Sequence, residues 1–121
     1  MAITEDYVSF ETAKLLKEKG FNEPCYTCYL NKELSHYDYL STNFELIDDI
    51  ISAPTLQMAM KWLREEHNID ILIIIGGFVE KGKVYFCSVY KNLINYGDLK
   101  ECSTYEEACE AGIKHCLNNI I

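Results

Sequence analysis

Apolar and polar positions along this chain alternate between a helical and an extended period, and the changes of period lay out its elements. Over residues 9–19, Phe10, Ala13 and Leu16 share one face of a 3.6-residue repeat, with Leu15 at its margin. Ser9 is placed to cap this helix, Glu11 lies in its first turn, and Lys17 and Lys19 lie in its last. Gly20 then suits the left-handed residue that ends a helix, and Phe21 the hydrophobic contact of a Schellman motif. Pro24 stops the helical pattern, and Cys25 to Leu30, rich in Tyr, Thr and Cys, predicts a short strand. Residues 31–43 show no clear period. Phe44, Ile47, Ile50 and Ile51 have helical spacing over a short run, which leaves turn, short helix and strand open.

The strongest pattern follows Pro54, where Leu56, Ala59, Met60 and Leu63 recur at i, i+3, i+4 and i+7. Met58 and Trp62 widen that face, Pro54 suits the first turn, and Asn68 closes the helix. Ile69 to Val79 predicts a strand that is apolar on both faces from Leu72 to Ile75, hence central and covered. Gly76-Gly77 marks a bulge or bend, Glu80 to Lys83 a hairpin turn, and Val84 to Tyr90 the returning strand. Asn95 to Asp98 reads as a further turn and Leu99 to Cys102 as a short third strand. Ser103-Thr104-Tyr105-Glu106 fits a capping box for a last helix, whose apolar face runs from Tyr105 to Ile120.

Three amphipathic helices and about four strands joined by hairpins predict one α+β domain spanning residues 1–121. Its order is roughly α-β-α-β-β-α, in two layers, with the helices on one antiparallel sheet of three to four strands. The 121 residues and 49% hydrophobic content supply a core without staples.

Charge narrows the function. The net charge is −8, and residues 1–60 hold 4 Lys and no Arg against 10 acidic residues. With a single Arg, Arg64, and no basic run, direct binding to nucleic acid or an anionic membrane is not expected. The acidic start lacks the basic and apolar pattern of a secretory signal, so the six cysteines are expected reduced in the cytoplasm.

Candidate chemistry is sparse. Cys25-Tyr26-Thr27-Cys28 has C-x-x-C spacing, but zinc needs further ligands and only His36 is near. In a strand, positions i and i+3 point to opposite faces. Cys109 and Cys116 fall on the core face of the last helix, as small hydrophobes. Gly77 to Lys83 has the spacing of a phosphate loop, but lacks the following Ser or Thr and leads into a strand. His36, His67 and His115 share no motif, so no catalytic residue, metal ligand or cofactor is assigned. One stretch mixes acids with aromatics: Glu33, Tyr37, Asp38, Tyr39, Glu45, Asp48 and Asp49 form a candidate interaction surface.

Three segments, Ser9 to Phe21 running into Pro24-Cys25, Ala53 to Glu65, and Tyr105 to Gly112, resemble a family of small uncharacterised proteins of gut-bacterial genomes, prophages and mobile elements. The resemblance implies a bacterial or phage-derived cytosolic protein and carries over no activity or binding residue. The expected function is a small non-catalytic binding or accessory module with a protein partner, as monomer or homodimer. One alternative is an acidic inhibitor that occupies a basic or nucleic-acid-binding site on a host protein. A second is a small metal- or thiol-dependent enzyme using Cys25 and Cys28.

Overall fold

The computed structural model describes residues 3–41, 50–78, 82–99 and 101–121, without the side chains of residues 37–41 and 78. The first helix, α1, runs Phe10–Glu18. The Thr12 amide donates to Ser9 Oγ over 3.2 Å, which satisfies an N–H of the first turn. At the other end Gly20 N–H donates to Lys17 O over 3.1 Å and Phe21 N–H to Leu16 O over 2.9 Å. These are the two bonds of a Schellman motif. Gly20 supplies its left-handed residue, with φ +97°, and Phe21 is buried.

Strands β1 (Cys25–Leu30), β2 (Glu33–Ser41) and β3 (Ile50–Ser52) form an antiparallel sheet in the order β2-β1-β3. The hydrophobic pattern does not show β2. Its turn is Asn31-Lys32, with φ of 51° and 68°, the left-handed pair of a two-residue type I′ hairpin. The ladder runs regularly from Leu30↔Glu33 to Thr27↔His36 and then slips, so that Cys25 pairs with Ser41 and β2 carries a bulge over residues 37–40. The N-terminal segment is tied on by an antiparallel bridge between Tyr7 and Thr55. Val8 N–H donates to Pro54 O over 3.1 Å beside it. Thr27 Oγ1 donates to Ala53 O, and Ala53 N–H returns a bond to Thr27 O over 3.0 Å, holding the chain after β3 against β1.

Helix α2 spans Leu56–His67. Thr55 caps it, its Oγ1 accepting from the Met58 amide over 3.1 Å, and Asn68 ends it in the left-handed region at φ 54°. Leu56, Ala59, Met60, Trp62 and Leu63 are buried and Met58 is exposed. The chain divides into two compact units within this helix, Met1–Ala59 and Met60–Ile121.

The second unit holds β4 (Ile69–Phe78), β5 (Gly82–Lys91) and β6 (Ile94–Asp98), antiparallel in the order β4-β5-β6. The sequence pattern predicts β4 as a central, covered strand; in the structure it is the edge of its sheet, and Leu72 and Ile74 are exposed. Gly76-Gly77 is no bulge, because the β4–β5 ladder runs from Ile69↔Lys91 to Phe78↔Gly82 without a slip. Close approach accounts for both glycines. A Cβ on Gly76 would lie 3.0 Å from Phe86 Cε2, and one on Gly77 would collide with Gly82 O. Of the expected turn at Glu80 to Lys83, Glu80 and Lys81 lie outside the described residues.

The next turn is Asn92-Leu93, again a left-handed pair, with φ of 52° and 69°. Asn95 to Asp98 therefore belongs to β6 rather than to a turn. The register slips between Val89 and Tyr90, and Gly97 beside it takes φ +138°. After β6 the chain still follows β5, through Leu99 N–H to Cys87 O at 2.9 Å and a bridge between Cys102 and Tyr85.

Helix α3 runs Tyr105–Asn119 and is capped by Thr104, one residue later than the sequence suggests. The Glu107 amide donates to Thr104 Oγ1 over 3.1 Å, and Glu107 Oε2 accepts from the Ser103 amide over 3.3 Å. Ala108, Cys109, Gly112, Ile113, Cys116 and Leu117 are its buried face. A Cβ on Gly112 would lie 2.9 Å from both Cys87 Sγ and Ile71 Cγ2, so this glycine sets how closely α3 sits on the sheet. The α+β class holds, with three helices and six strands among the described residues, the strands divided between two three-stranded sheets rather than gathered in one.

Candidate acidic and aromatic binding cleft

The first unit carries a cleft of about 620 Å³ between the N-terminal segment and the β1–β2 hairpin. Thr4, Glu5, Asp6 and Tyr7 line one side, and Tyr29, Leu34 and His36 the other. The register puts the hairpin residues together: Tyr29 pairs with Leu34 and Thr27 with His36, so all four share one face of the sheet. Tyr29 Oη donates to Val8 O over 2.6 Å, and its ring meets Phe10 edge to face at 5.7 Å. Tyr29 is thereby fixed between the hairpin and the start of α1. Tyr7 and His36 meet across the cleft, edge to face at 5.8 Å. The carboxylates of Glu5 and Asp6 are exposed at this wall.

Tyr7 also borders a second, smaller crevice of about 150 Å³. Pro24, Tyr26, Ala53, Pro54 and Met58 give it an almost wholly apolar lining. Tyr26 and Met58, which line it, are exposed. An acidic, aromatic cleft and an apolar crevice thus share one tyrosine.

Of the residues singled out from the sequence, four lie on β2, the strand that brings Leu34 and His36 to the cleft. Glu33 is exposed at the start of β2, and Tyr37, Asp38 and Tyr39 lie in the β2 bulge. Glu45, Asp48 and Asp49 lie outside the described residues. Sequence reasoning missed Glu5, Asp6, Tyr7 and Tyr29. The available signal was the acid-acid-aromatic run before Ser9, which no periodicity links to a hairpin over twenty residues away.

The thiols are packed rather than presented. All six cysteines are free, and Cys25, Cys28, Cys87, Cys109 and Cys116 are buried. Burial pushes the Cys25 thiol up to about 11, with the Glu23 carboxylate adding to the effect. A nucleophilic or redox thiol needs the opposite shift. Burial is also the leading cause at Cys87 and Cys109, at about 11, and at Cys116, at about 12. Among the described residues no three His, Cys, Asp or Glu side chains gather within reach of one metal ion. Gly77 and Gly82-Lys83 lie on paired strands, and among the described residues a strand rather than a helix follows them. No helix among the described residues is long and apolar enough to cross a membrane. Compared with known proteins, the chain matches no family model, no curated protein and no solved structure.

Proposed function

We propose that this protein is a small non-catalytic binding module that takes a cationic segment of a partner protein, with an apolar residue beside the charge. The observation that carries this reading is the pair of cavities that share Tyr7: a cleft with exposed Glu5 and Asp6 and the Tyr7–His36 contact, and an apolar crevice at Tyr26 and Met58. Carboxylates attract and orient a Lys or Arg head, aromatic faces cover its stem, and the crevice has room for one side chain. The excess of acids in residues 1–60 favours the same class of partner. An inhibitor that covers a basic, nucleic-acid-binding site on a host protein is a particular case of this chemistry. Buried, protonated thiols count against the thiol-enzyme reading and suit a reducing bacterial or phage-infected cytoplasm.

The test is a titration of isotope-labelled protein with a Lys-Leu peptide and with a Glu-Leu control, followed by amide and His36 ring shifts. With the basic peptide, shifts are expected at residues 4–7, 29 and 34–36 of the cleft and at Tyr26, Ala53 and Met58 of the crevice. The double variant Glu5→Lys/Asp6→Lys should weaken binding about tenfold or more, since each exposed charge pair contributes about 0.2–1 kcal/mol and reversal adds repulsion. Equal affinity for both peptides, or for wild type and variant, refutes the reading.

A further inference from the structure

We infer that the free edge of β4 pairs antiparallel with β4 of a second copy of this chain, joining two three-stranded sheets into one of six. Among the described residues the strand invites pairing and carries little of the usual protection. β4 is hydrogen-bonded, among the described residues, to β5 on one side only, so alternate backbone groups along its other edge face outward. Proteins blunt such edges with bulges, charges, prolines or short length. The β2 ladder slips between Cys25 and Thr27, the β6 ladder slips at Val89/Tyr90, and β3 has three residues. β4 has ten residues, a ladder without a slip, no proline, and Asp70 as its sole charge.

Its side chains are also those of a covered strand. One face of the sheet packs on α3, through Ile71 and Cys87 at Gly112. On the other face Leu72 is 49% exposed and Ile74 43%, beside half-buried Phe86.

The sequence of the strand selects a second copy as the occupant. Ile71-Leu72-Ile73-Ile74-Ile75 is apolar throughout and nearly symmetric about Ile73. A two-fold axis at Ile73 sets Ile71 opposite Ile75 of the second copy, Leu72 opposite Ile74, and Ile73 opposite itself. Every facing pair is branched aliphatic, and the outer-face pair Leu72–Ile74 occurs twice by symmetry. The flanks fit as well. In this register Asp70 faces Gly76 of the second copy, where there is neither charge nor side chain. A parallel, in-register copy would set Asp70 against Asp70, and like charges directly opposite are unfavourable. Each copy carries a net charge of −8, so association strengthens as salt rises.

Sedimentation equilibrium of the full chain over a wide concentration range tests this. The expected weight-average mass rises from 14.0 kDa towards twice that value, more steeply in high salt. Leu72→Lys should weaken the dimer about a hundredfold, because two charges then face apolar side chains across the axis. Leu72 is exposed, so the variant keeps its circular dichroism spectrum, and Leu93→Lys, at a site 92% exposed in the β5–β6 turn, leaves the dimer intact. The decisive variant is Leu72→Lys/Ile74→Glu, which places Lys opposite Glu twice and should recover at least tenfold of the lost affinity. A monomer at every concentration and salt overturns the inference. So does a dimer indifferent to Leu72→Lys, or a double variant no tighter than the single one.

Discussion

Replacing Gly112 by alanine sets two physical effects of known sign against each other. Gly112 lies in the interior of α3, a helix of 15 residues, where alanine is favoured over glycine by about 1 kcal/mol. On helix propensity alone Gly112→Ala stabilises. The packing reverses this. The new Cβ would lie 2.9 Å from Cys87 Sγ and 2.9 Å from Ile71 Cγ2, against a comfortable separation of about 3.5–4 Å. Neither neighbour yields easily: Cys87 is 1% exposed on the central strand, and Ile71 is β-branched and stiff at χ1. Overpacking a core by one methyl costs about 1–3 kcal/mol. The net expectation is a loss of about 1 kcal/mol and a fall in Tm of about 4 °C. Urea unfolding of Gly112→Ala, Cys87→Ala and the double variant separates the contributions. Removing Sγ frees the space that the new methyl enters, so the double variant should be less damaged than the two losses together by about 1–2 kcal/mol. A Gly112→Ala protein more stable than wild type, or strict additivity, refutes the packing argument.

Thr104→Ala should cost about 1 kcal/mol through loss of the α3 cap, and Ser103→Ala little, by thermal melts; equal costs would return the cap to Ser103. Cys25, Cys87, Cys109 and Cys116 should resist a thiol reagent at pH 8 until the protein unfolds, which a labelling time course with and without denaturant reads directly. Their folded pKa values lie above the ordinary 9.0, so the unfolded chain loses these protons first. Their contribution to stability is whole below about pH 9 and is lost as pH rises through 11 to 12, visible as a falling urea midpoint. Ser88 Oγ donates to Asp98 Oδ1 over 2.6 Å and, with a lesser bond from Asn95, holds the Asp98 carboxyl below its usual range. Ser88→Ala should move that carboxyl's titration upward in a side-chain NMR titration. The wild-type bond favours the fold above the unfolded pKa and fades as pH falls through the folded one.

The elements that the sequence displays most clearly are those whose local chemistry and burial agree. Ser9, Gly20 and Phe21 each occupy the role their type suggests at the ends of α1, and β1 has the bounds its composition marks. The strands that stay hidden are β2 and β6, and the same device hides both. Each hairpin turns on Asn followed by a residue other than Gly, Lys32 or Leu93, held at positive φ. The usual signal is Asn-Gly, so these turns look like ordinary strand or loop. Slips in both ladders then erase the alternation that would have restored the strands. With β2 unseen, one sheet sufficed to explain the pattern, and the cleft built on the β1–β2 hairpin could not be assembled. Only the aromatic and acidic composition of its surroundings was readable, at Glu33 and Tyr37 to Tyr39.

The two units depart from regularity in different ways, and each way bears on one of the two proposals. In Met1–Ala59 the irregular features converge on one place: a β2 bulge, a bridged N-terminal segment and a tyrosine whose hydroxyl serves a backbone carbonyl. Bulges beside cavities re-aim side chains, and exposed connecting segments carry binding groups more often than cores do. In Met60–Ile121 the longest ladder is also the most regular one, and its aliphatic strand stands at an edge. Regular, symmetric, largely aliphatic edges recognise strands through the backbone, with little side-chain selectivity, whereas a charged and aromatic cleft discriminates by side chain. On the two proposals, the first unit chooses a partner by its side chains and the second pairs with a further copy of the chain. Leu72→Lys separates the two proposals, because it should dissolve the dimer while leaving a basic peptide bound at the Tyr7–His36 cleft as before.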